Sequence, residues 1–232
     1  MRHGQLSLAF AAISTTAVLV AAPTAHAGSS WDEIRPALFG ERAIHQADEF
    51  VRLTAPYRPT DQRAVPVKVE TGFEDGRTIR SVTLIVDENP TPVAAIFDIG
   101  AKRSKLELAT LLRLNAATDV RVIVEVSDGE RYMAERYVKF AGGQGACAAP
   151  PIGRPEEMIA SMGDITLTHK PRLAATTEIR PHAKLKVRHP NHTGMVLDQL
   201  TLLYVPLRIV TDLEVRQGGE RVFTMRGSIS LS

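Results

Sequence analysis

Apolar residues recur at every second position through much of the chain. Val65, Val67 and Val69 alternate with polar or small neighbours, and Val82, Leu84 and Val86 do the same before the turn signal Glu88-Asn89-Pro90. A period of two puts each set on one face of a half-buried strand. Leu106, Leu108, Leu112 and Leu114 also share a strand face, although 105–115 taken alone fits a helical period as well. The strongest local signal is Asp128-Gly129. Val120, Val122, Val124 and Val126 lead into it, and Tyr132, Ala134, Val138 and Phe140 lead away, with Arg136 interrupting. Asp-Gly between two alternating runs predicts a hairpin. Five to seven strands in about 80 residues, divided by Gly and Pro turns, predict a β-sandwich.

The pattern differs at three places. Ser30-Trp31-Asp32-Glu33 reads as a capping box opening a short helix that runs through Leu38, with Pro36 inside it and Gly40 as its stop. After Phe140, residues 141–151 contain no large apolar side chain and read as a linker. Pro155-Glu156-Glu157 then suits a helix start, closed by Gly163. A second β-rich stretch follows, in which Ile209, Leu213 and Val215 alternate with charged residues, Gly218-Gly219 turns, and 222–225 returns. Residues 228–232 alternate as a strand with no turn after it. Only 69 residues lie in 164–232, where a seven-stranded sandwich takes about 100. The second half is therefore expected to be incomplete at its C-terminal end, with 228–231 unpaired at a sheet edge.

The first residues are an address. Arg2 and His3 precede an apolar, Ala-rich run over 6–22, and Ala25-His26-Ala27 offers small residues at a cleavage site. This predicts a secretory signal peptide over 1–27, a mature chain from Gly28 and export to an oxidising compartment, with no stable membrane insertion after cleavage. The resulting division is a signal at 1–27, a β-sandwich domain at 28–140, a Gly/Pro-rich linker at 141–163 and a second β-sandwich domain at 164–232. The fold class is all-β, with two immunoglobulin-like sandwiches in tandem.

Composition narrows the chemistry. Hydrophobic residues make up 44% and charged residues 23% of 232, which excludes a disordered chain. A net charge of +2 excludes a strongly basic nucleic-acid surface. One cysteine, Cys147, excludes an intrachain disulfide. It sits among Gly142, Gly143, Gly145, Ala148 and Pro150, which offer nothing to bury it, so an accessible thiol on a flexible arm is expected. No ionisable side chain lies within six residues to activate it, so only about 3% would be thiolate at pH 7. That suits a group activated by a partner better than a catalytic nucleophile. Gly143, Gly145 and Ala148 satisfy G-x-G-x-x-A, but Pro150-Pro151 forbids the helix a dinucleotide site needs. His169, His182, His189 and His192 match no helical ligand spacing and read as solvated loop residues rather than zinc ligands. Asn191-His192-Thr193 is a glycosylation sequon, relevant only in a host that glycosylates. No cofactor, metal site or catalytic residue is expected.

Residues 81–97 (SVTLIVDENPTPVAAIF), 120–140 and the run Gly142-Gly143-Gln144-Gly145-Ala146-Cys147 resemble SoxY, the sulfur-carrying subunit of bacterial thiosulfate oxidation. That family ends in a Gly-Gly-Cys-Gly-Gly arm whose thiol carries substrate covalently. Residues 186–190 (KVRHP), Thr193-Gly194-Met195 and 218–230 resemble its immunoglobulin-like partner SoxZ. The order is similar to fused SoxYZ-like carriers associated with quinoprotein dehydrogenases. The resemblance implies a carrier, not an enzyme, with Cys147 as the attachment point and Gly142, Gly143 and Gly145 as its arm. Its partners would be sulfur-oxidation enzymes or a quinoprotein dehydrogenase system, alongside intramolecular pairing of the two domains. A non-carrying assembly module for such a dehydrogenase is the alternative. This cysteine is followed by more chain where SoxY has a free end, so the arm cannot thread end-first into a narrow channel. From residue 140 to Cys147 it spans at most about 24 Å extended, and about 15 Å as a flexible chain.

Overall fold

The alternating runs become strands whose apolar faces meet across one core. The computed structural model describes residues 29–100, 102–140, 142–150, 155–172 and 180–232, so the expected signal peptide lies outside the described residues. Helix α1 (Ser29–Phe39) is followed by β1 (His45–Gln46), β2 (Val51–Thr54), β3 (Val65–Gly72), β4 (Ile79–Val86), β5 (Val93–Ile99), β6 (Lys105–Leu112), β7 (Thr118–Val126) and β8 (Arg131–Val138). Helix α2 (Pro155–Ala160), β9 (Ile165–Arg172), β10 (Arg180–Val187), β11 (Asp212–Gln217) and β12 (Glu220–Gly227) complete the order.

A seven-stranded sheet, β1-β8-β7-β4-β5-β12-β11, packs on a three-stranded sheet, β2-β3-β6. Neighbours are antiparallel except β1 and β8. Period two fixes which side chains face inward. Val82, Leu84 and Val86 of β4 lie opposite Val124, Val122 and Val120 of β7. All six are fully buried against Val65, Val67 and Val69 of β3. The predicted hairpin closes with Gly129 at φ 91°, and its N–H donates to the Val126 carbonyl at 2.9 Å. That left-handed position is where glycine adds no Cβ penalty. The stretch 105–115, ambiguous from its spacing, is extended because β3 pairs with it from Val65–Leu112 to Gly72–Lys105.

The outer face of the large sheet is covered too. Ile85, Ile123 and Met133 point away from the main core and are buried under Trp31, Ile34 and Phe39 of α1, joined by Ile44. Arg121 shares that face, pairs with Asp87 at 2.8 Å, and lies 4.7 Å beneath the Trp31 ring. Stacking on the ring adds cation–π attraction to the ion pair. The helix thus explains why β4 and β7 are apolar on both faces near their centres.

The second half differs from the expected division. Residues 164–232 do not close a sandwich of their own among the described residues. β9 and β10 form a two-stranded antiparallel ribbon, while β11 and β12 add to the edge of β5 in the large sheet. One row of side chains crosses the sheet, Met225–Phe97–Val82–Val124–Tyr132, spanning both halves. The physical reason is the free edge of β5. Phe97 and Ile99 face the core there, and Met225, Phe223 and Leu213 cover them.

Residues 228–232 are also placed differently from expectation. They form no strand and lie on no open edge. Ser228 N–H donates to Ala94 O at 3.0 Å, Arg113 N–H to Ser230 O at 2.9 Å, and Ser232 N–H to Leu111 O at 3.0 Å. Ile229 and Leu231 turn inward, and these bonds occupy the backbone groups an edge strand would leave open. Because β12 shares the core, Met225→Ala should lower the main cooperative unfolding transition by about 2–3 kcal/mol. Urea denaturation followed by the fluorescence of Trp31, on the far side of the large sheet, should show this loss. An unchanged Trp31 transition would mean that the C-terminal hairpin unfolds independently.

Candidate functional site

The cysteine arm leaves β8 and returns to the sandwich within a few residues. Gly142 and Gly143 are exposed, with φ of 95° and 90°, and no atoms lie near where a Cβ would be. The chain then docks on the end of β6. Ala146 N–H donates to Leu114 O at 3.3 Å, and Cys147 N–H donates to Asn115 Oδ1 at 3.3 Å. The N–H groups of Ala148 and Ala149 both turn back to Gly145 O, at 3.0 and 3.1 Å. Arg63 Nη1 donates to Pro150 O at 3.3 Å from beside β3. A Cβ on Gly145 would lie 2.1 Å from Asn115 Oδ1, so this glycine permits close approach where the other two do not need to.

Cys147 is fully buried, with 0% of its surface exposed. The expectation of an open thiol is therefore corrected. Composition rightly excludes burial by the arm's own side chains, but the cover comes from elsewhere. Thr193, in the loop after β10, donates its hydroxyl hydrogen to Cys147 O and accepts from Met195 N–H at 3.3 Å. The first half holds the Cys147 N–H and the second half holds its carbonyl. Hydrogen bonds to the arm's own backbone, two of them made by the Asn115 and Thr193 side chains, anchor it.

Its dock rests on Asn89, in the turn after β4. The buried Asn89 amide donates to Arg113 O at 2.7 Å and to Ser230 Oγ at 2.8 Å. Its Oδ1 accepts from Asn115 N–H at 2.8 Å, which fixes the residue that in turn receives Cys147. Sequence reading sees Asn89 only as a turn former. Asn115 and Thr193 carry no signal beyond their polarity, since their role depends on contacts across the chain.

Electrostatics near the thiol oppose one another. Burial pushes the Cys147 thiol above the ordinary cysteine range, while Arg113 pulls it down less strongly. Arg113 follows β6 and is 7% exposed; its Nη1 donates to Asn191 O at 2.8 Å, while Nε has no partner. Burial lowers the affinity of this guanidinium for its proton. His192 is only 9% exposed, contrary to the solvated reading, and its Nδ1 has no partner. Burial, then Arg208, Arg113 and His189, lowers its pKa below the usual histidine range. His189 Nδ1 accepts from Asn191 N–H at 3.1 Å, and His169 and His182 lie in β9 and β10. Among the described residues, no three His, Cys, Asp or Glu side chains group as metal ligands.

Fold and site together define an all-β sandwich protein with a glycine-rich arm that seats its single cysteine between two parts of the chain. Residues 35–147 match the family of the sulfur oxidation protein SoxY, and residues 172–232 match that of the sulphur oxidation protein SoxZ. A SoxY match followed by a SoxZ match in one chain is the fused SoxYZ-like architecture. Among solved structures, the sulfur carrier protein SoxY from Chlorobium limicola f thiosulfatophilum is 27% identical, over 48% of this chain and 92% of its own, with a TM-score of 0.41. A superoxide reductase (neelaredoxin) from Ignicoccus hospitalis is 15% identical, over 39% and 80%, with a TM-score of 0.31. No curated protein matches the chain.

A docked thiol should react only when the arm opens. Alkylation of Cys147 in the folded protein should be at least about tenfold slower than in urea, as for a group gated by local opening. Gly145→Ala drives a Cβ into the Asn115 anchor and should speed that reaction by about tenfold, or 1.4 kcal/mol of docking energy. Its unfolding midpoint should hardly move. Equal rates for folded wild type and unfolded chain would show that the arm is not seated.

Proposed function

We propose that the protein is a periplasmic carrier that holds a sulfur substrate covalently on Cys147 and presents it to partner enzymes of sulfur oxidation. One observation carries this reading. The chain's single cysteine is the last residue of the SoxY match, on a glycine-rich arm, and a residue of the SoxZ match bonds its carbonyl. The protein itself performs no bond chemistry in this scheme. Partner enzymes, a quinoprotein dehydrogenase system among them, load and unload the thiol.

Presentation requires undocking. Three hydrogen bonds hold Ala146 and Cys147. At about 1 kcal/mol net each, their loss leaves roughly one molecule in 150 open. Gly142 and Gly143 supply the pivot, since neither has close neighbours. Pro150 is held by Arg63 and the chain continues beyond it, so the arm swings out as a loop and meets a shallow, open partner site. The raised thiol pKa fits activation by the partner, because little thiolate exists while the arm is docked.

The burial of Cys147 also favours a second reading, an assembly or interaction module for a quinoprotein dehydrogenase whose cysteine carries nothing. Mass spectrometry of protein from the native host distinguishes the two. A carrier should show sulfur adducts on Cys147, and Cys147→Ser should abolish the pathway it serves, because a hydroxyl does not replace a thiolate in bonding to sulfur. Full pathway activity in the Ser variant would move the assignment to the assembly module. Periplasmic protein should begin at Gly28 on N-terminal sequencing; Met1 on membrane-bound material would replace secretion with anchoring.

A further inference from the structure

Burying a guanidinium without a counter-anion is unfavourable unless something else compensates for the lost hydration. Arg113 is in that position. Among the described residues it pairs with no carboxylate; its only side-chain hydrogen bond is Nη1 to Asn191 O, and the buried Nε is left open. It lines a cleft of about 1480 Å³ together with Ala146, Ala149, Pro150 and Asn191, the backbone on either side of Cys147 and the loop over it. Arg63 also lines that cleft, but its charge is engaged by Asp61 at 2.9 Å. His192, beside Thr193 in the covering loop, has an unpartnered buried Nδ1, a donor in the Nδ1–H tautomer. Arg113 Nε and His192 Nδ1 are therefore the buried groups near the seated arm with unused hydrogen-bonding capacity.

We propose that Arg113, with the covering loop at 191–193, forms a docking cradle for an oxyanion terminus of the kind a sulfonate-ended adduct on Cys147 would carry. The proposal rests on the carrier reading. The neutral thiol of the empty arm gives Arg113 no anion, whereas a group ending in –SO3⁻ does. A forked guanidinium matches such an oxyanion in both charge and geometry. The loaded arm thus docks more firmly than the empty one, and its cargo is shielded from reductants between encounters with partners.

Two chemical loads on the whole protein test this. With tetrathionate, the Cys147 thiolate attacks a central sulfur and the central S–S bond breaks. Thiosulfate leaves with the electron pair, and Cys147 keeps –S–SO3⁻, with tetrathionate as the oxidant. With methyl methanethiosulfonate the thiolate expels methanesulfinate and keeps a neutral –S–CH3. For each adduct, the rate of release by dithiothreitol in the folded protein is divided into the rate in urea. The cradle predicts at least about tenfold more protection for the anionic adduct than for the neutral one. It also predicts loss of that difference in Arg113→Gln. Equal protection in wild type, which needs no variant to fold, overturns the proposal, as does a difference that survives Arg113→Gln. If neither reagent modifies folded protein even over times about a thousandfold longer than those that fully modify the unfolded chain, well beyond the delay that arm opening imposes, the carrier reading itself fails and the cradle with it. Modification with equal protection leaves the carrier reading standing and removes only the cradle.

Discussion

The seating of the cysteine arm depends on one buried carboxamide. Asn89 uses both amide hydrogens and its oxygen, bonding to Arg113 O, Ser230 Oγ and Asn115 N–H. Ser230 passes the connection on by donating its hydroxyl hydrogen to Thr91 O at 2.7 Å. The turn after β4, the end of β6 and residues 228–232 are thereby held in one register. Each partner is a polar group at the end of a sheet, where no ladder remains to satisfy it, and an unmade bond there costs about 1–3 kcal/mol. Asn115 is aimed at the Cys147 N–H only because its own N–H is held by Asn89. The Asp-Glu-Asn-Pro-Thr-Pro turn is thus the foundation of the arm's dock as well as a reversal of the chain.

The C-terminal half supplies the other wall. By adding β12 to β5, it is joined to the sheet whose strand ends support the arm, so its covering loop meets Cys147 within one framework. Arg113 is bound on both sides in the same way, its backbone N–H to Ser230 O and its Nη1 to Asn191 O. The two matched segments are therefore interleaved in space although consecutive in sequence. Covalent linkage makes this pairing intramolecular, so it does not depend on the concentration of a separate partner.

Most of the sandwich was legible because period two is a local property. The valines of β3, β4 and β7 needed only their spacing and the Asp128-Gly129 hairpin only its turn chemistry, while α1 starts at Ser29, one residue before the Ser30 expected to cap it. The spacing could not reveal which edge the last hairpin would join, because β5 and β12 meet through Phe97 and Met225, 128 residues apart. Of the candidate site, one residue was legible. Cys147 and its glycines stand out by type, whereas Arg113, Asn115 and Thr193 lie 34, 32 and 46 positions away and read as unremarkable polar residues. The mistaken exposure of the thiol has the same origin. An arm of Gly and Ala cannot bury itself, but its small side chains let foreign backbone and side chains close over it, as the approach of Gly145 to Asn115 requires.

A seated thiol and a useful thiol make opposite demands, and the charge balance around Cys147 meets both. While the arm is docked, desolvation outweighs the pull of Arg113 and keeps the sulfur protonated, a poor nucleophile and a poor target for stray oxidants. Undocking returns the sulfur to water and removes the desolvation that suppresses ionisation. Reactivity is therefore tied to the conformation in which the arm is open. Hydrogen bonds to the backbone suit this gating better than an apolar latch. They involve Ala146 N, Cys147 N and Cys147 O rather than the sulfur, so the latch leaves the sulfur itself free of hydrogen bonds to the dock.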